Sequence, residues 1–309
     1  MRVAITCGDP AGVGPEIIAR GLASAAASGT QFTILGARAW LDSLPAIAGV
    51  EPHAVGPEDF RATPGKPSDD GARVALAAME AAAAGCREGR FDTVVTGPVS
   101  KSALQRVGFT FPGQSEFFAA RWGGTPTMAF TGGKLRVLLA TWHIPLREVA
   151  AQLTREALER TVRHAVWLAR AEGFAQPRIA VCGLNPHAGE DGLLGREEID
   201  AINPWLAKLR GEFPGLSACL PGDTVFARML RGEFDAIVAQ YHDQGLAPLK
   251  AIDFDTAVNV TLGMPFIRTS PDHGTAFGIA GQGVAEISSF ANAVQVARRL
   301  ARYRMEHPF

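Results

Sequence analysis

The chain has 309 residues, 47% of them hydrophobic and 20% charged, which is the balance of a soluble globular protein and excludes a disordered or membrane-embedded one. Its 30 basic and 31 acidic residues leave a formal charge of −1, so no strong field exists to recruit nucleic acid or an anionic membrane surface. The length suits two ordinary domains, and small-molecule chemistry becomes the expected function class.

Short apolar, β-rich runs alternate with helical ones along the chain. Residues 2–6 form the first such run, and 31–37, 92–98, 135–143, 178–186 and 235–242 follow as expected strands; most are nearly all apolar, as strands covered on both faces are. Helical periodicity runs through 69–89, 154–173 and 196–213, the first two closing on a glycine, and through a last helix at 288–304. This alternation predicts an α/β fold with a mainly parallel sheet. No apolar stretch approaches the roughly 18–20 residues of a membrane span. The first residues also lack the apolar core of a secretion signal, so a cytoplasmic protein is expected. Cys7, Cys86, Cys182 and Cys219 lie far apart with no C-x-x-C pair, and they read as small core residues rather than a disulfide framework or a zinc site.

In open α/β sheets, function collects at the carboxyl ends of strands. Five of the expected strands here lead into polar loops: "CGDPAGVGPE", "TGPVSK", "TWHIPL", "GLNPHAGEDG" and "YHDQG". His143, His187 and His242 each follow a separate strand. On spacing alone two readings stand open. They are unrelated strand-end histidines making hydrogen bonds, or three imidazole ligands that leave a cation one open position for a hydroxyl or carbonyl. His164 lies mid-helix and reads as structural. "GDPAGVGPE" is neither G-x-G-x-x-G nor a P-loop, and a tight strand-to-helix turn explains it as well as a binding loop does, although Asp9 adds a carboxylate. Lys250, Asn259 and Arg268, evenly spaced after the last of the three histidines, either bind a phosphate and a carboxylate or are surface groups.

Taken together, "GDPAGVGPEI", "TGPVSKSAL", "FPGQSEFFA", "NPHAGEDGLLGREE", "LPGDTVF", "YHDQGLAPLK" and "NVTLGMPFIRTSPDHGTAF" closely resemble the 4-hydroxythreonine-4-phosphate dehydrogenase family of pyridoxal 5′-phosphate biosynthesis, in the same order and over almost the full length. The resemblance implies a two-domain fold like that of isocitrate and isopropylmalate dehydrogenases, with the active site in the cleft between domains. It implies a first domain of 1–117 plus 244–309 and a second, dimer-forming domain of 118–243. Metal ligands at a homodimer interface carry over to His143, His187 and His242, for one divalent cation per subunit, zinc, magnesium or cobalt. Substrate contacts carry over to Lys250, Asn259 and Arg268. Two further contacts fall on Gln114 and Ser115, where the family commonly has His and Thr; Gln cannot become cationic or shuttle a proton. His273, Gly274, Thr275 and Ala276 match the segment that helps bind the adenosine half of NAD. Gly278 stands where many NAD-using relatives have Asp, so NADP is not excluded.

The implied reaction is a metal-dependent, NAD(P)-linked oxidation of 4-phosphooxy-L-threonine followed by decarboxylation to 3-amino-2-oxopropyl phosphate. Asp243, next to His242, either orients a ligand or relays a proton, or simply accepts a loop hydrogen bond. Rival readings are oxidation of a four-carbon sugar-acid phosphate or an aromatic cis-dihydrodiol carboxylate, phosphate acyl transfer, and metabolite binding without catalysis.

Overall fold

From the amino terminus, β1 (Arg2–Thr6), α1 (Gly14–Ala26), β2 (Gln31–Gly36), α2 (Arg38–Leu41), β3 (Val50–Ala54), α3 (Asp69–Arg87), β4 (Thr93–Thr96), α4 (Lys101–Arg106) and α5 (Gln114–Trp122) follow in turn. A second run then comprises β5 (Thr127–Thr131), β6 (Val137–Leu139), α6 (Val149–Gln152), α7 (Arg155–Ala171), β7 (Ile179–Cys182), α8 (Asn203–Leu209), β8 (Leu216–Leu220), α9 (Gly222–Leu230), β9 (Ala236–Ala239) and α10 (His242–Asp253). The chain closes with β10 (Val258–Leu262), β11 (Ile267–Pro271) and α11 (Ser288–Glu306). This computed structural model describes residues 1–26 and 29–309. It divides into one unit of Met1–Pro126 with Val258–Glu306 and another of Thr127–Ala257 with His307–Phe309.

In the first unit the strands lie in the order β3-β2-β1-β4-β11-β10, parallel except where β10 runs against β11. Helix α3 covers β1, β2 and β4 with a stripe of small residues, Ala72, Ala75, Ala78, Ala82 and Ala83, all buried. Small side chains let it approach the sheet closely, and Ser68 caps it by accepting from the Gly71 amide at 3.1 Å. Beside it Phe109, Phe111, Phe117, Phe118 and Trp122 form an aromatic cluster with ring centroids 4.6–5.7 Å apart. Burying each ring stabilises by about 1.5–3 kcal/mol before the entropy of ordering is subtracted.

The second unit has the order β5-β6-β9-β7-β8, parallel except for the β5–β6 pair. Phe130, Val137, Leu139, Ile237 and Leu249 centre its core. Gly245 lets α10 sit against β6 and β9: a Cβ there would stand 2.8 Å from Leu139, 2.9 Å from Val137 and 3.1 Å from Ala239. All four cysteines are free and buried, and burial pushes their thiols up to about 12. No helix among the described residues is long and apolar enough to cross a membrane.

The α/β class and the mainly parallel sheets agree with the sequence reading, while the details differ. Helix α5 packs into the first unit's aromatic cluster and α10 onto the second unit's strands. The "YHDQG" stretch, expected as a polar loop, opens α10 from His242 onward. β3, β5, β8, β10 and β11 were not foreseen. β3 is an exposed edge strand containing Pro52, and β10 and β11 interleave Asn259, Thr261, Arg268 and Thr269 with their apolar residues. Five expected strands end earlier than foreseen, four of them by two or more residues, so the polar ends of those four lie outside the sheet.

Candidate active site

β6, β9 and β7 are adjacent and parallel, so their carboxyl ends share one edge of the second unit's sheet, and the segments after them carry His143, His242 and His187 respectively. The rings of His143 and His242 lie 5.9 Å apart between centroids, inclined at 36°. His143 sits at φ 53 and His187 at φ 51, a left-handed backbone that costs a non-glycine residue of order 1–3 kcal/mol. From His187 to Asp191 every φ is positive. Buried Glu198 holds this turn in place: it accepts from the Asn185 amide at 2.8 Å and from Asn185 Nδ2 at 3.0 Å.

Two of the histidines have a carboxylate at Nδ1. His242 Nδ1 lies 2.7 Å from Asp243 Oδ1, and His187 Nδ1 lies 2.6 Å from Glu190 Oε2. A carboxylate only accepts, so Nδ1 carries the proton and Nε2 presents its lone pair, the arrangement found behind metal-bound imidazoles. The donor chemistry therefore fits a divalent cation. Within one chain, however, only His143 and His242 come together. Among the described residues no three His, Cys, Asp or Glu side chains are grouped to hold one ion. Lys250 Nζ lies 5.5 Å over the ring of Phe254, at the other end of α10 from His242.

The first unit gathers a second set. Register pairs Thr261 with Arg268 and Asn259 with Ser270, and it pairs Arg268 with Val94. Alternation then places Asn259, Thr261, Arg268 and Thr96, two residues beyond Val94, on one face of the sheet. Arg268 is 4% exposed. Its guanidinium donates from Nε and Nη2 to Thr96 Oγ1 at 3.0 and 2.7 Å, and from Nη1 to Asn259 Oδ1 at 2.9 Å. Burial pulls its pKa down to about 10, against the opposing charges of Glu116 and Asp272. Gln114 and Ser115 open α5. Ser115 Oγ shares a hydrogen bond with Thr261 Oγ1 at 2.9 Å, and Gln114 Nε2 reaches the Gly97 carbonyl at 3.4 Å.

His273–Ala276 follow β11 in the same unit. Val13 donates to the Thr275 carbonyl at 2.9 Å, and Gly12 is pressed so close that a Cβ would stand 2.8 Å from that oxygen. His273 Nδ1 lies 3.0 Å from the Gly274 carbonyl, and its buried Nε2 has no hydrogen-bond partner among the described residues. A cavity of about 340 Å³ opens at the carboxyl ends of β1 and β2, with Pro10, Trp40, Phe60 and Arg61 in its wall. Thr96, Thr261, Asn185, Glu190 and Glu198 escaped the sequence reading. Thr96 lies in the quoted "TGPVSK" segment, but nothing in the sequence tells which strand-end hydroxyl meets an arginine from 172 residues further along the chain.

Residues 23–297 match the family described as "Pyridoxal phosphate biosynthetic protein PdxA". The chain belongs to this family. It is 44% identical to the 4-hydroxythreonine-4-phosphate dehydrogenase of Thioalkalivibrio sulfidiphilus over 97% of both chains. Among solved structures, the enzyme of that name from Klebsiella pneumoniae superposes with a TM-score of 0.81 at 35% identity, covering 97% of this chain and 99% of the other. A terephthalate 1,2-cis-dihydrodiol dehydrogenase from Burkholderia xenovorans follows with a TM-score of 0.70 at 29% identity, covering 97% and 98%. Isocitrate dehydrogenase from Methylococcus capsulatus, at a TM-score of 0.52 and 16% identity, shares the fold alone. As a PdxA family member the chain is an oxidoreductase of pyridoxal phosphate biosynthesis.

Proposed function

We propose that the chain oxidises 4-phosphooxy-L-threonine with NAD or NADP and decarboxylates the resulting 3-keto acid to 3-amino-2-oxopropyl phosphate. The observation that carries this reading is Arg268, a buried cation whose hydrogen bonds go to the neutral oxygens of Thr96 and Asn259. A desolvated guanidinium with neutral partners gains strongly from an incoming anion. Asn259 orients the group, and Ser115 and Gln114 offer a hydroxyl and an amide at the first turn of α5.

His143, His187 and His242 hold one divalent cation. Support comes from the paired rings of His143 and His242 and from the carboxylates that leave Nε2 free on His187 and His242. Because His187 stands apart in a single chain, the third ligand comes from the second subunit of a homodimer. A cation held there would supply Lewis-acid chemistry at the substrate hydroxyl, and a nicotinamide would supply the hydride acceptor. Asp243 keeps His242 in the ligating tautomer. His273–Ala276 and the aromatic-walled cavity, whose Trp40 and Phe60 suit a planar base, support a nucleotide in the first unit.

The test is NADH or NADPH formation from 4-phosphooxy-L-threonine with and without a chelator, beside a four-carbon sugar-acid phosphate and an aromatic cis-dihydrodiol carboxylate. We expect turnover of the first compound alone, lost on chelation and restored by zinc, magnesium or cobalt. Turnover that survives complete metal removal would sink the Lewis-acid role.

A further inference from the structure

Arg268 has five N–H groups, and the protein occupies one on each nitrogen. Nε–H and the neighbouring N–H of Nη2 run parallel along one edge of the guanidinium. When both meet a single oxygen, as they do at Thr96 Oγ1, that edge is consumed and the ring of donors cannot roll about its axis. One N–H then remains on each terminal nitrogen. Thr96 is itself fully buried in β4, and its hydroxyl lies 3.5 Å from the Thr269 carbonyl, which can accept its proton and leave both lone pairs for Arg268.

We propose that Thr96 is a positioning residue for anion recognition: one hydroxyl oxygen fixes the roll of the Arg268 guanidinium and so presents the remaining N–H groups of Nη1 and Nη2 to an oxyanion. The proposal rests on Arg268 binding a substrate oxyanion, as argued above. A neutral hydroxyl suits the task better than a carboxylate, because it orients the fork without cancelling its charge. An aspartate at the same place would orient Arg268 equally well and compete with the substrate for it.

The test compares Thr96→Val, which keeps the shape and removes the acceptor, with Thr96→Ser, which keeps the acceptor. Binding of inorganic phosphate, and separately of acetate, is measured by calorimetry alongside steady-state kinetics on 4-phosphooxy-L-threonine. Loss of one charge-assisted contact corresponds to about a tenfold change. Thr96→Val should therefore weaken binding of one of the two anions about tenfold and raise KM similarly with kcat little changed, while Thr96→Ser stays near the parent. The anion affected identifies which substrate group Arg268 reads. Wild-type-like anion binding in Thr96→Val, or an equal loss in Thr96→Ser, overturns the assignment. If Thr96→Val does not fold, as judged by its thermal transition, Thr96→Ala against Thr96→Ser makes the same comparison. Should the parent protein bind phosphate through Thr96 yet fail to oxidise 4-phosphooxy-L-threonine, the substrate assignment falls and the positioning role stands.

Discussion

His164 shows what a single buried group does to stability. It is 8% exposed on α7, its Nδ1 lies 2.8 Å from Thr127 Oγ1, and the ring of Phe309 packs edge-on against it. Burial, with a smaller contribution from the Arg160 charge, lowers its pKa from 6.5 to about 4. Between those values the unfolded chain binds more protons than the folded one, so stability rises with pH through that window and is lost as pH falls below 6.5. The loss from pH 7 to pH 5 is on the order of 2 kcal/mol. Urea unfolding at the two pH values should show it, and His164→Phe should remove most of the difference. Gly278 tests another single position. It is exposed and nothing lies within 4 Å of where a Cβ would go, so Gly278→Asp is accommodated without strain. On the proposed seating of the nucleotide at His273–Ala276, a carboxylate there repels the extra phosphate of NADP, so the ratio of Kd for NADP to Kd for NAD, read by fluorescence titration, should rise severalfold. An unchanged ratio would place the adenosine ribose elsewhere.

Helix α10 owes its seat to one glycine, and His242 owes its place to α10. Gly245 lies three residues after His242, against Val137, Leu139 and Ala239. Gly245→Ala gains about 1 kcal/mol of helix propensity and loses about 1–3 kcal/mol to overpacking, so a small net destabilisation is expected. The sharper effect should be on metal affinity, since the helix must lift from β6 and β9 and move His242 away from His143. Isothermal titration with zinc would register that, and parent-like affinity would show that His242 does not depend on the fit. Elements of this kind were only half legible beforehand. The period-3.6 stripes of α3, α7 and α11 and the apolar runs of β1, β2, β4, β7 and β9 stand out, because both reflect local burial patterns. β10 and β11 do not, because Asn259, Thr261 and Arg268 break their apolar pattern; strands that carry a site look least like strands.

For the whole protein the proposal to test is that two subunits complete each metal site. With His143 and His242 paired in one chain, the proposed homodimer makes a complementation test possible. His187→Ala and His242→Ala homodimers should each be inactive. Mixed, dissociated and reassembled subunits should regain about a quarter of parental activity, since half the dimers are mixed and each has one intact site. No recovery would confine the three ligands to one subunit.

The sequence by itself determined the α/β class, the family and the residue types available for a metal and an anion, because these depend on periodicity and on short ordered motifs. Only the tertiary structure decided that Thr96 meets Arg268, that Glu198 pins the His187 turn, that residues 242–246 open a helix, and that two rather than three histidines meet in one chain. The meeting of Thr96 and Arg268 depends on strand order and register, which join residues 172 positions apart and leave no local mark in the chain.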